Sequence, residues 1–125
     1  GVFNAMEADA DTDALYAALA AAMSEIGLAY VHMVDHSGMG APKPKPELVQ
    51  QMRAAFRGTF ILSGGYDRDR AERDLQEKRG DLIAVGSKFI SNPKLVTKWK
   101  TGAELLPPDP STFYTPDDKG YTDYE

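Results

Sequence analysis

Two short glycine turns are where this sequence could do chemistry. Ser63-Gly64-Gly65-Tyr66 and Gly86-Ser87-Lys88 each follow an apolar run of strand-forming residues. Glycine has no Cβ, so a backbone N–H can approach a phosphate oxygen closely; Ser63 and Ser87 add hydroxyl donors, and Lys88 adds a point charge. That donor set is coherent for a phosphorylated cofactor. Each turn also reads as a plain strand-to-helix exit, and at this level both readings stand.

Composition excludes several other chemistries. The 125 residues contain no cysteine, which removes disulfides, thiolate metal sites, iron–sulfur ligation and cysteine nucleophiles, and fits a cytoplasmic protein. The two histidines, His32 and His36, are too few for a histidine-rich metal centre, and no metal is assigned. His32 lies within an apolar run and reads as a packed core residue. Acidic residues outnumber basic ones, 19 against 14, which argues against nucleic acid or an anionic membrane as the main partner. No apolar run approaches the ~18 residues that span a bilayer. The length suits one domain.

The turns need elements to hold them. Leu15, Leu19, Ala22 and Ile26 recur at helical spacing and predict a helix over 13–26 with that face inward, capped from Asp11-Thr12-Asp13 and stopped by Gly27. Residues 28–34 are almost unbroken apolar and predict a parallel strand buried on both faces. Residues 38–46 hold Pro42, Pro44 and Pro46 and predict an exposed, partly polyproline-like loop. A helix resumes at Glu47, burying Leu48, Met52, Ala55 and Phe56, and Gly58 stops it before a strand over 59–62. Asp67 caps the next helix, with Ala71 and Leu75 inward and Gly80 at its end. The mixed charges from Asp67 to Arg79 read as a solvated face. A strand over 82–85 follows, then a helix opened by the Asn92-Pro93 cap and stopped at Gly102. From Ala103 the chain reads as an irregular tail in which Tyr121 and Tyr124 are packing anchors.

This serial alternation of helix and strand requires right-handed crossovers and a parallel sheet, so the fold class is α/β. Only three strands are available, and a three-stranded parallel sheet leaves two unpaired edges. An eight-unit barrel needs roughly 250 residues, so about three βα units read as part of a (β/α)8 TIM barrel. The opening Gly1-Val2-Phe3-Asn4, without initiator methionine or signal core, reads as the middle of a protein.

Several separated motifs then occur in one order: Ser63-Gly64-Gly65-Tyr66, the run from Gly86-Ser87-Lys88-Phe89-Ile90-Ser91-Asn92-Pro93 to Val96, Phe113-Tyr114, and Gly120-Tyr121-Thr122-Asp123-Tyr124. Together they resemble the C-terminal part of the Old Yellow Enzyme family of ene-reductases and NADPH dehydrogenases, over essentially all of residues 1–125. The resemblance implies strands six to eight of an FMN-dependent barrel. Such an enzyme takes hydride from NAD(P)H and delivers it to the β-carbon of an α,β-unsaturated carbonyl compound in a ping-pong cycle. It implies that Gly64, Gly65, Gly86 and Ser87 lie around the FMN phosphate with Lys88 beside them. Phe113 would border the flavin, and Tyr114 the substrate cavity.

One departure stands out, because the family usually carries arginine directly after the glycine matching Gly86, and this chain has Ser87. The resemblance places no catalytic residue in this chain: the substrate-anchoring pair and the tyrosine proton donor belong to the first five strands, expected on the N-terminal part of the same barrel. In the loop after the first strand here, His36 and Met39 are candidates for touching substrate. Two rival expectations are a phosphate-binding or interaction fragment without redox activity, and a receiver-like domain using Asp35 and Lys88. The second lacks the acidic pair and the strand count.

Overall fold

The computed structural model describes residues 10–124, so the opening segment at Gly1 lies outside the described residues. The chain divides into two compact units, Gly1–Ala84 and Val85–Glu125. In the first, α1 (Thr12–Ile26) leads to β1 (Tyr30–Val34), a 3-10 turn at Ser37–Met39, α2 (Pro46–Ala55), β2 (Thr59–Ser63), α3 (Arg68–Gln76) and β3 (Leu82–Ala84). Gly27 ends α1 in the left-handed region, and Asp67 caps α3 by accepting the Arg70 N–H at 2.8 Å. Both helix boundaries are readable from residue type alone.

Among the described residues the three strands form one parallel sheet in the order β1-β2-β3. Val31 sits opposite Phe60, and Met33 opposite Leu62, which in turn meets Ile83. On that face Val31, Phe60 and Leu62 are buried, as are Leu48, Met52 and Phe56 of α2 and its end. Burying an aromatic side chain such as Phe60 stabilises by about 1.5–3 kcal/mol. Met33 and Leu62 share a crevice with Val49 of α2 and with Arg70 and Asp74 of α3, so both helices cover this one face. Consecutive strands whose crossover helices all lie on one side make the wall of a barrel; a doubly wound sheet would send them to both sides.

The other face corrects the expectation of a strand buried on both sides. Tyr30, His32, Val34 and Leu82 are exposed, and β1 alternates in burial. His32 is therefore no core histidine, because the pleat turns it away from Val31 and from the helices. The same holds for α1: Leu15, Leu19 and Ile26 are exposed and Ala20 is buried, so the predicted inward stripe does not pack within this unit. Asp11 stands at the N-cap of α1 without a side-chain capping bond.

Two further expectations change. Helix α3 ends at Gln76 rather than at Gly80, with Lys78 in the left-handed region, and it buries Ala71 and Asp74 while Leu75 is exposed. The charged run is thus only partly solvated. In the second unit, α4 (Ser87–Ile90) is a helical turn where a loop was expected. Helix α5 (Leu95–Thr101) begins after Lys94, so Asn92-Pro93 is not its cap. The fully buried Asn92 is used over a longer range. Its Nδ2 donates to the Lys88 and Leu106 carbonyls at 2.9 Å, and its Oδ1 accepts the Leu106 N–H at 2.9 Å and Lys98 Nζ at 3.0 Å. It ties the start of the tail to α4 and α5.

Candidate functional site

Strand β2 delivers Ser63 to its carboxyl end, and the chain then turns through Gly64 (φ +116°) and Gly65 (φ +61°). Glycine is required at Gly64 twice over. Its φ is outside the range L side chains adopt, and a Cβ there would overlap the Asp35 backbone carbonyl and lie 2.8 Å from the Asp35 Cβ. At Gly65 nothing lies within 4 Å of the corresponding position, and the residue is exposed. Among the described residues none accepts a hydrogen bond from the Gly65 N–H.

Behind this turn stands a charged cluster. Arg70, in the first turn of α3, donates from Nη1 to the Gly64 carbonyl at 2.9 Å. Its Nη2 lies 3.7 Å from Asp35 Oδ2, its Nε lies 3.8 Å from Asp74 Oδ2, and its guanidinium sits 4.1 Å from the centre of the Tyr66 ring. The Tyr66 hydroxyl donates to Asp74 Oδ2 at 2.8 Å. Asp74 is 4% exposed, and Arg73 and Arg79 approach its Oδ1 at 3.8 and 3.5 Å, beyond hydrogen-bond reach. These residues border a crevice of about 260 Å³ at the carboxyl ends of β1 and β2.

The cluster shifts its members' acidities. Burial pushes the Asp35 carboxyl up, but the Ser37 hydroxyl and N–H, with the Arg70 and Lys43 charges, outweigh it and hold Asp35 below the usual carboxylate range. Burial, followed by the hydrogen bond to Asp74 and its charge, pushes the Tyr66 phenol up to about 12. Sequence reading missed this cluster. The signal was present in Asp74, three residues after the inward Ala71 and four after Arg70, on one helical face.

The second unit holds the other expected residues. Gly86 and Ser87 are exposed at the start of α4, and nothing lies within 4 Å of a Cβ built at Gly86. Lys88 is partly buried, its carbonyl taken by Asn92. Phe113 and Tyr114 form an edge-on aromatic pair with ring centres 6.5 Å apart. Tyr114 is a non-glycine residue at φ +63° and its side chain is 96% exposed. Such backbone is costly, and here the Tyr121 hydroxyl accepts the Tyr114 N–H at 3.0 Å. In the first unit His36 precedes the 3-10 turn, and Met39 is exposed within it.

The sequence model of the NADH:flavin oxidoreductase / NADH oxidase family matches residues 2–105. The chain belongs to this, the Old Yellow Enzyme family. Its Old Yellow Enzyme relatives include 12-oxophytodienoate reductase 2 of Arabidopsis thaliana, 34% identical over 93% of this chain and 32% of that protein. Morphinone reductase, solved in complex with tetrahydroNAD, superposes with a TM-score of 0.84 at 38% identity, covering 94% of this chain and 31% of that one. The old yellow enzyme from Trypanosoma cruzi superposes with a TM-score of 0.80 at 30% identity, over 94% of this chain and 30% of its own. The chain therefore spans about a third of the length of the Old Yellow Enzymes it matches and is a fragment of an α/β barrel. The family is FMN-dependent, with reduced nicotinamide nucleotides as electron donors. Membership displaces the receiver-like alternative; Asp35 is already engaged by Ser37 and Arg70.

Proposed function

We propose that this chain is the carboxyl-terminal third of a cytoplasmic FMN-dependent ene-reductase barrel, strands six to eight, and that it supplies the FMN-phosphate end and part of the substrate cavity. The observation that carries the reading is the Gly64–Gly65 turn at the end of β2, whose second glycine leaves open space where a side chain would stand. Each unit by itself offers groups suited to an anion. In the first, Gly65 has an N–H that no described residue takes up, with open space at its Cβ position; in the second, Gly86 is open in the same way, Ser87 carries a hydroxyl and Lys88 a cation. Ser87 stands where the family usually has arginine, so bidentate grip is replaced by a hydroxyl and a neighbouring point charge. When bound, FMN supplies the hydride chemistry between NAD(P)H and the C=C bond of an α,β-unsaturated carbonyl compound. Phe113 would border the flavin, and the exposed Tyr114, whose N–H is held by the Tyr121 hydroxyl, would border the substrate.

No residue here holds or moves the reaction's proton; that work lies in the N-terminal part of the same barrel, and these residues alone are inactive. The test is reconstitution of the whole protein with FMN, followed by visible absorbance. NADPH or NADH should bleach the flavin, and 2-cyclohexenone should restore its colour. A protein that takes up no flavin refutes the reading.

A further inference from the structure

We propose that Arg70 is the positioning residue of the Gly64–Gly65 turn, holding the Gly64 carbonyl from behind so that the Gly65 N–H is presented to the FMN phosphate. The proposal rests on the reading of this turn as part of the phosphate site. The geometry follows from one peptide plane. In a trans peptide the C=O of one residue and the N–H of the next point in opposite directions. Arg70 Nη1 donates to the Gly64 carbonyl at 2.9 Å, so the Gly65 N–H points away from Arg70, on a residue that is itself exposed. A cationic donor on the carbonyl also polarises the peptide and makes its N–H a stronger donor.

Two flexible glycines would otherwise leave this plane free to rotate, at the place where a fixed direction matters. Arg70 can fix it because Arg70 is itself fixed. Its backbone N–H is taken by the Asp67 cap, its remaining nitrogens face Asp35 and Asp74, and its plane lies over Tyr66. A guanidinium serves three directions at once from a rigid fork; an ammonium does not. The buried Asp74 thereby gains a purpose, since it anchors the arginine that orients the turn. Arg70 touches no substrate in this scheme and acts through the peptide alone.

Phosphate selectivity tests this better than activity does. In the whole protein, stripped of flavin and retitrated, the affinities for FMN and for riboflavin, which lacks the phosphate, are measured for wild type, Arg70→Met, Arg70→Lys and Gly65→Asp. Arg70→Met and Arg70→Lys are expected to weaken FMN about tenfold and to leave riboflavin unchanged. Arg70→Lys keeps a charge beside Asp35 and Asp74, so it carries the test if Arg70→Met does not fold. A general structural defect would weaken both ligands together, and that result overturns the proposal. So does an unchanged preference for FMN in the Arg70 variants when Gly65→Asp abolishes it. If Gly65→Asp also leaves the preference intact, the phosphate reading of the turn fails, and this proposal with it.

Discussion

Substituting the two adjacent glycines one at a time separates steric need from openness. Gly64→Ala must hold φ near +116°, where a non-glycine residue costs about 1–3 kcal/mol, and its Cβ would be driven into the Asp35 backbone. Relief requires the β1 end and the β2 turn to part, which strains the Arg70 bond to the Gly64 carbonyl. We expect a combined loss of about 3 kcal/mol. Gly65→Ala sits at φ +61° with nothing within 4 Å, so only the left-handed penalty applies, about 1–2 kcal/mol. The assay is urea unfolding of each variant, with the slope checked for constancy. Equal losses for the two variants, or a Gly64→Ala protein within about 0.5 kcal/mol of wild type, would refute the steric reasoning.

Three other outcomes follow from the same geometry. Asp35 has a lowered folded pKa, so its stabilising contribution is present above the ordinary value of 3.8 and is lost as pH falls through the folded value. The melting-temperature gap between wild type and Asp35→Asn should accordingly be full at neutral pH and close in acid. Asn92→Ala removes the side-chain bonds to Lys88, Lys98 and Leu106 and should cost about 2–3 kcal/mol, with proteolysis of the tail beginning beyond Ala103 in the variant first. The 125-residue chain expressed by itself should self-associate in gel filtration, because Tyr30, Val34 and Leu82 leave one sheet face apolar and exposed; a monodisperse monomer would contradict this.

Local rules made much of the chain legible. Gly27, the Asp67 cap and the Leu48/Met52/Phe56 stripe each act within a turn or two of helix, and each stands where spacing put it. What failed depended on distant partners. An apolar run reports hydrophobicity but not which face is covered, so residues 28–34 could not reveal that His32 faces away from the helices. Asn92 beside Pro93 has the chemistry of a cap, and only the return of the chain at Leu106 turns its side chain to another use. Asp74 was hidden among charges of both signs because its burial depends on Tyr66, Arg70 and Arg79 converging from different positions. For the site, the glycine turns and the family motifs were readable, whereas the arginine behind the turn was not.

Two groups of ion pairs in the first unit should answer differently to ionic strength. Asp13–Lys45 and Glu25–Arg57 join α1 to the ends of α2 through side chains that are largely in water, where electrolyte screens them within a Debye length of about 8 Å at physiological salt. The pairs converging on Asp74 meet a carboxylate whose side chain is only 5% exposed, so mobile ions scarcely reach it. Rising salt therefore loosens the α1–α2 clasp first and leaves α3 seated on the sheet. The unit is soft to electrolytes where α1 meets α2 and stiff at the end of β2.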